Sequence, residues 1–175
     1  MEVTKAIKER RSIRQFTDKN IPDDIVKKIV EAGRWAPSPK NTQPWRFIII
    51  RDTKKLNEIS QYARYSSYLK DVPLGIAVIV SPIEAYDWYD ELQENKYAAA
   101  CAAQNMMLQA WDIGIGSCWV SVDREKAAEL LDVPEELFLL CVIAFGYPAK
   151  ELPNPDEEKR IPAGGLIMRE TYLPG

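Results

Sequence analysis

Ala36-Pro37-Ser38-Pro39-Lys40-Asn41-Thr42-Gln43-Pro44, followed by Trp45-Arg46-Phe47-Ile48-Ile49-Ile50, is the stretch on which the reading of this chain turns. Its three prolines remove backbone donors and fix φ, so residues 36–44 cannot form a regular element. The apolar run Trp45–Ile50 then reads as a strand. Upstream, Ile21-Pro22-Asp23-Asp24 opens a helix. Proline sits near its first turn, acids lie at its positive end, and Ile25, Ile29 and Ala32 share a face. That helix should end around Gly33 to Trp35, and a shorter one is expected over residues 4–11. Downstream the reading gives a helix near Thr53–Tyr62, a buried strand Leu74–Val80 and a long Ala- and Met-rich helix Asn95–Asp112 ended by Gly114. A strand Ser117–Val120, a helix Asp123–Leu131 with Asp123 as N-cap, and a strand Leu137–Phe145 follow. The last of these is nearly continuous in apolar residues, as a central strand would be. The order mixes α and β without the regular alternation of a doubly wound fold.

The chain has 175 residues, 23 Lys+Arg against 26 Asp+Glu, and no histidine. Its length fits one domain, residues 1–175. The missing histidine excludes Ser-His-Asp and Cys-His catalysis, imidazole-ligated zinc and a histidine pH switch. A net charge of −3 argues against a nucleic-acid binder. The charged N-terminal residues do not resemble a secretory leader, and the longest apolar runs are too short for a bilayer, so a cytoplasmic location without membrane contact is expected. Cys101, Cys118 and Cys141 stand in apolar surroundings and read as buried reduced thiols.

Four features could carry chemistry. Arg10, Arg11 and Arg14 bring three guanidinium groups within five residues, with Ser12 between them. On a helix, 10 and 14 would share a face, and such a cluster is either a solvated basic surface or an anion site. In the proline-locked loop, Ser38, Asn41 and Gln43 present neutral donors and acceptors, which suits either a structural turn or a planar hydrogen-bonding ligand. Gly114-Ile115-Gly116-Ser117-Cys118-Trp119 begins like a dinucleotide fingerprint, but it has Trp119 at the third glycine position and follows a helix, so that reading is rejected. Lys159-Arg160 lies in a Pro- and charge-rich tail from Gly146 to Pro162, ahead of an extended piece Leu166–Leu173. A tail of this length either wraps its own surface or reaches a second subunit.

Taken in order, these blocks resemble the FMN-dependent nitroreductase family. The resemblance rests on Arg-Arg-Ser-Ile-Arg-Gln-Phe at 10–16, Pro-Ser-Pro-Lys-Asn-Thr-Gln-Pro-Trp at 37–45, the Asn105-Met106-Met107 helix with Gly-Ile-Gly-Ser-Cys-Trp, Phe-Gly-Tyr-Pro at 145–148 and the late Lys159-Arg160. It implies an α+β fold with a mixed, mostly antiparallel sheet flanked by helices, and a homodimer whose C-terminal arm crosses to the partner. It further implies that Arg10, Arg11, Ser12 and Arg14 hold the FMN phosphate, ribityl chain and pyrimidine edge, with Arg160 reaching the phosphate. Pro37, Ser38, Pro39 and Asn41 would come from the second subunit beside the ring, with Gln43 a weaker assignment. Trp119, Val120 and Ser121 would bring backbone close to the flavin. The implied activity is reduction of a small acceptor (nitroaromatic, quinone or related compound) by NADH or NADPH in a ping-pong scheme. A flavin storage or sensor protein is the alternative. Tyr65, Tyr68, Tyr86, Trp88 and Tyr89 are candidates for the acceptor pocket, the last three on a short aromatic segment that is either a lid or dimer packing.

Overall fold

The computed structural model describes residues 2–63, 65–83, 91–151, 155 and 159–172. Four strands form one antiparallel sheet: β1 (Trp45–Ile50), β2 (Leu74–Val80), β3 (Gly116–Val120) and β4 (Phe138–Gly146), in the spatial order β1-β2-β4-β3. β2 and β4 are central, and all of β2 is buried, because helices cover both faces. Side chains alternate between the two faces along β2, sending Leu74, Ile76, Val78 and Val80 one way and Ala77 and Ile79 the other. In β4 the alternation slips once. Val78 pairs with Cys141 but Ile79 with Leu139, so Leu140 is an extra residue and packs, with Cys141, toward the first core.

The first core is covered by α2 (Asp23–Arg34) and α4 (Glu91–Asp112). α4 begins one turn earlier than the sequence reading placed it. Its Ala98, Ala99, Ala102, Ala103 and Ala110 are buried, and their small size lets α2 approach. At Gly33 a β-carbon would stand 2.8 Å from Met106 Sδ, so the helices approach closely there and a side chain would have to displace the Met106 thioether. The second core lies under α3 (Thr53–Gln61), α5 (Arg124–Leu130) and a 3₁₀ turn, Ser67–Asp71. Asp52 and Asp123 cap α3 and α5 by accepting from the backbone N–H groups of Lys54 and Lys126. The first helix, α1 (Val3–Glu9), packs on α4. Among the described residues no helix is long and apolar enough to cross a membrane.

Two readings are corrected. Cys101 is exposed on α4, whereas Cys118 and Cys141 are buried as expected. The final segment contains a 3₁₀ turn at Ala163–Leu166 before Ile167 turns extended, and Glu170 takes a positive φ of 62°, so 166–172 is not one continuous extended piece.

Candidate functional site

The arginine block is not helical. α1 stops at Glu9, and Arg10 already has extended angles (φ −55°, ψ 132°). Tertiary contacts decide this. Ile13 N donates to Ser117 O at 2.9 Å, Ser12 bridges Ser117 in parallel, and Thr17 N donates to Tyr147 O at 2.9 Å. Two glycines make room for the segment: a β-carbon at Gly116 would lie 2.7 Å from Ile13 Cγ1, and one at Gly146 would lie 2.7 Å from Phe16 Cδ1. Arg10, Ser12 and Arg14 are therefore related by the two-residue period of extended chain, with Ile13 buried between Ser12 and Arg14. The shared face that 10 and 14 would have on a helix is therefore not formed.

Two buried polar groups in this part of the fold have no partner among the described residues. Arg10 is half-buried, and its Nε is buried without a hydrogen-bond partner among the described residues. Burial and then the neighbouring positive charge of Arg160 make its guanidinium less basic than usual, so residues 150 positions apart in the chain converge here. Ser117 Oγ is likewise buried and unpartnered, one residue from the buried Cys118. Leaving such groups unmade typically costs about 1–3 kcal/mol each, more when charged. Two like-charged guanidiniums, one of them with a buried unpartnered N–H, have the charge and donors to take a multiply charged anion. Arg11 differs, since its Nε donates to Glu9 O at 3.2 Å, within its own segment.

Beyond Ser117 the outer edge of β3 continues. Ser117 turns its carbonyl outward to Ile13, so by strand alternation the backbone groups of Trp119 also face the free edge, while Val120 pairs with Val142 in β4. Beneath this edge the Tyr68 hydroxyl donates to Cys118 Sγ at 3.1 Å. Burial first, and then this bond, push the Tyr68 phenol well above its ordinary range, while the adjacent Arg14 guanidinium pulls the other way. Ser117 and the Tyr68–Cys118 contact escaped the sequence reading, because nothing in the linear order marks a pairing across 50 residues.

The proline-locked loop takes unusual backbone angles. Lys40, Asn41 and Gln43 have φ of 48°, 57° and 50°, in the left-handed region that non-glycine residues seldom occupy. The turn is held by Gln43 N donating to Ser38 Oγ at 3.0 Å and Gln43 Nε2 donating to Asn41 O at 3.2 Å. It precedes β1, at the opposite edge of the sheet from β3 and at the opposite end from Ser117. With strands about 4.8 Å apart, the two edges stand roughly 14 Å from each other. Within one chain, then, Pro37, Ser38, Pro39, Asn41 and Gln43 are not brought to the arginines. A cleft of about 370 Å³ between α2 and the β1 edge, bordered by Val30, Arg34, Gln43 and Phe47, lies on that far side too.

The sequence model of the nitroreductase family matches residues 7–73 and 64–147, which include the arginine block, the proline loop and all four strands. The chain belongs to the nitroreductase family. Similar proteins include a putative NADH dehydrogenase/NAD(P)H nitroreductase of Methanothermobacter thermautotrophicus, 34% identical over 89% of this chain and 85% of that one. Another protein of the same description, from Archaeoglobus fulgidus, is 36% identical over 86% of this chain and 87% of its own. Among solved structures, an FMN-dependent nitroreductase of Clostridium difficile superposes with a TM-score of 0.84 at 27% identity, covering 97% of this chain and 100% of that one. The nitroreductase fold thus agrees with the α+β reading.

In this nitroreductase-family chain the aromatic candidates separate. Tyr65 is 92% exposed and has a φ of 61°, whereas Tyr68 is half-buried and bonded. Tyr86, Trp88 and Tyr89 lie outside the described residues. Residues 159–172 are exposed throughout, Ile161, Leu166, Ile167 and Tyr172 among them.

Proposed function

We propose that this chain is an NAD(P)H-dependent oxidoreductase that binds FMN and reduces a small oxidised acceptor, a nitroaromatic, quinone or related conjugated compound. The single observation that carries the reading is half-buried Arg10, whose Nε has no partner among the described residues and which lies under the opposing positive charge of Arg160. A phosphate monoester matches these groups in charge and in acceptor oxygens, and one of the similar solved structures described above is that of an FMN-dependent nitroreductase. Arg10, Ser12 and Arg160 would hold the phosphate, and Arg14 would stand toward the pyrimidine edge. The outward backbone groups of Trp119 and the turn through Val120 and Ser121 would line the ring. Bound there, FMN would supply hydride transfer between NADH or NADPH and the acceptor, chemistry that needs no histidine. The protein's part is to bind, orient and exclude water.

The site is completed by a second copy. The proline loop and the arginines occupy opposite edges of one sheet, and only a partner can place Pro37, Ser38, Pro39 and Asn41 beside the same ligand. The exposed apolar side chains of 161–172 are suited to cross to that partner as an arm. Homodimerisation should be evident by sedimentation.

The test is a visible spectrum of the purified protein before and after FMN, then after NADH or NADPH, followed by turnover with a quinone. Flavin absorbance that bleaches with reductant and returns with acceptor is expected. Absence of flavin uptake refutes the reading, and stable flavin with negligible turnover favours a storage or sensor role instead.

A further inference from the structure

Two cations share one aromatic ring at the end of the sheet away from Ser117. Lys96 Nζ lies 4.0 Å from the centroid of Phe138, and Arg124 Cζ lies 5.3 Å from the same centroid. The two charges therefore stand closer together than the roughly 10 Å over which salt screens them. Neither side chain makes an ion pair or a hydrogen bond among the described residues. Asp123, next to Arg124, is committed elsewhere: it caps α5 by accepting from Lys126 N and pairs with Lys126 Nζ at 3.3 Å. Both stems rise from fixed elements. Lys96 follows Asn95, which is buried and donates to Ser81 O at 3.2 Å and to Ile83 O at 3.0 Å. Arg124 is the first residue of the capped α5, and Phe138 packs half-buried against the first core. The ring attracts each cation, but it leaves two like charges side by side without a counter-ion.

We propose that Lys96 and Arg124 bind a phosphate group of the reducing nicotinamide nucleotide. The proposal rests on the FMN reading given above and adds where the charged part of the reductant lies. Ser117, at the arginine end of β3, pairs with Phe145, seven residues along β4 from Phe138. At about 3.3 Å per residue that is roughly 20 Å, so a single FMN phosphate cannot serve both groups of cations. At its other end β3 stops at Val120, and Arg124 follows Ser121 by three residues, which span at most about 10 Å. The pair thus flanks the end of β3 that would line the flavin ring, beyond the ring from the FMN phosphate. A dihydronicotinamide lying on that ring has to leave its own phosphates outside it. Lysine supplies a compact point charge and arginine a planar fork of donors, a combination suited to the several oxygens of a phosphate. Two phosphates qualify: the pyrophosphate common to NADH and NADPH, and the 2′-phosphate of NADPH.

The test follows reduction of the FMN-loaded protein in single turnovers by NADPH, by NADH and by N-benzyl dihydronicotinamide, which carries no phosphate. Wild type is compared with Lys96→Gln, Arg124→Gln and the double variant. The double variant should raise the apparent dissociation constant of the nucleotide about tenfold, as loss of two exposed charge contacts would, and each single variant about threefold. A rise for NADPH alone identifies the 2′-phosphate, and an equal rise for both nucleotides identifies the pyrophosphate. Calorimetric titration of the oxidised protein with NADP⁺ and NAD⁺ should show the same losses. Added salt should weaken NADPH binding more in the wild type than in the double variant. Reduction by the benzyl compound and FMN affinity, read by fluorescence quenching, should change less than about twofold. Unchanged dissociation constants for both nucleotides overturn the proposal while leaving the FMN reading intact. So does an equal loss with the benzyl compound or a parallel loss of FMN, since either would make the two residues merely structural. Failure of the wild-type protein to bind FMN, or of either nucleotide to bleach it, overturns both readings.

Discussion

Replacing Arg10 with methionine should move ligand binding and apo-protein stability in different directions. The guanidinium is half-buried, its Nε has no partner among the described residues, and the Arg160 charge opposes it. Methionine keeps an unbranched stem that fills the same space, so removing the charge should leave the melting temperature without ligand unchanged or slightly higher. Binding should suffer. Loss of one charge-assisted contact to phosphate costs about 2 kcal/mol, which is about thirtyfold in the dissociation constant. FMN at a hundredfold excess over the wild-type dissociation constant should stabilise the wild type by about 2.7 kcal/mol. At roughly 2–4 °C per kcal/mol for a chain of this size, that is a rise of about 5–11 °C. At the same FMN concentration the variant would be only about threefold above its own constant, gaining about 0.9 kcal/mol and roughly 2–4 °C. Differential scanning fluorimetry with and without FMN, beside a fluorescence titration, measures both quantities. An FMN-induced shift equal to the wild type would refute the phosphate assignment of Arg10. A variant that melts several degrees lower without ligand would show that the guanidinium is structural.

Gly116→Ala places a β-carbon 2.7 Å from Ile13 Cγ1 and 2.9 Å from its Cβ, so residues 12–14 must lift from β3. A stability loss of about 1–3 kcal/mol is expected, together with weaker FMN binding, whereas Gly164→Ala, which meets nothing within 4 Å, should change neither. Equal melting temperatures for the two variants would contradict the close approach. The Glu31 carboxyl, bonded to Arg34 at 2.6 and 2.9 Å and to Trp35 Nε1 at 2.9 Å, is held down to about 2 from its ordinary 4.5. Because the folded-state value is the lower one, the small stabilisation from this exposed cluster is present above pH 4.5 and disappears as pH falls toward 2. Carbon-detected NMR titration of Glu31 should give that low midpoint, and an ordinary one would mean the three side chains are unbonded in solution.

The element boundaries were readable where local rules and tertiary packing agree. Pro22, Asp23 and Asp24 mark the start of α2, Asp123 caps α5, and the unbroken apolar runs of β2 and β4 announce strands covered on both faces. Local rules carried the first helix past its end, to residue 11 instead of Glu9. There the charge spacing suited a helix, but backbone pairing with Ser117 and burial of Ile13 outweigh helix propensity over one short turn. Cys101 was misread for a related reason: its apolar neighbours describe α4 as a whole, whereas exposure depends on which side of α4 other helices cover.

By composition and motif order alone the chain excludes histidine chemistry and supplies the arginine block, the proline loop and the late Lys159-Arg160. Those are one-dimensional facts, complete once the residues are written down. Only the tertiary structure decided that Arg10 comes under the charge of Arg160, that Arg10 Nε and Ser117 Oγ are buried without a partner among the described residues, and that Tyr68 reaches Cys118. It also decided that the proline loop and the arginines lie on opposite edges of the sheet, so one row of motifs is split apart within a single chain. The reason is physical: charge repulsion, burial and hydrogen-bond satisfaction depend on distance through space, and strand order, which sets those distances here, is fixed by how two apolar faces are covered rather than by sequence order.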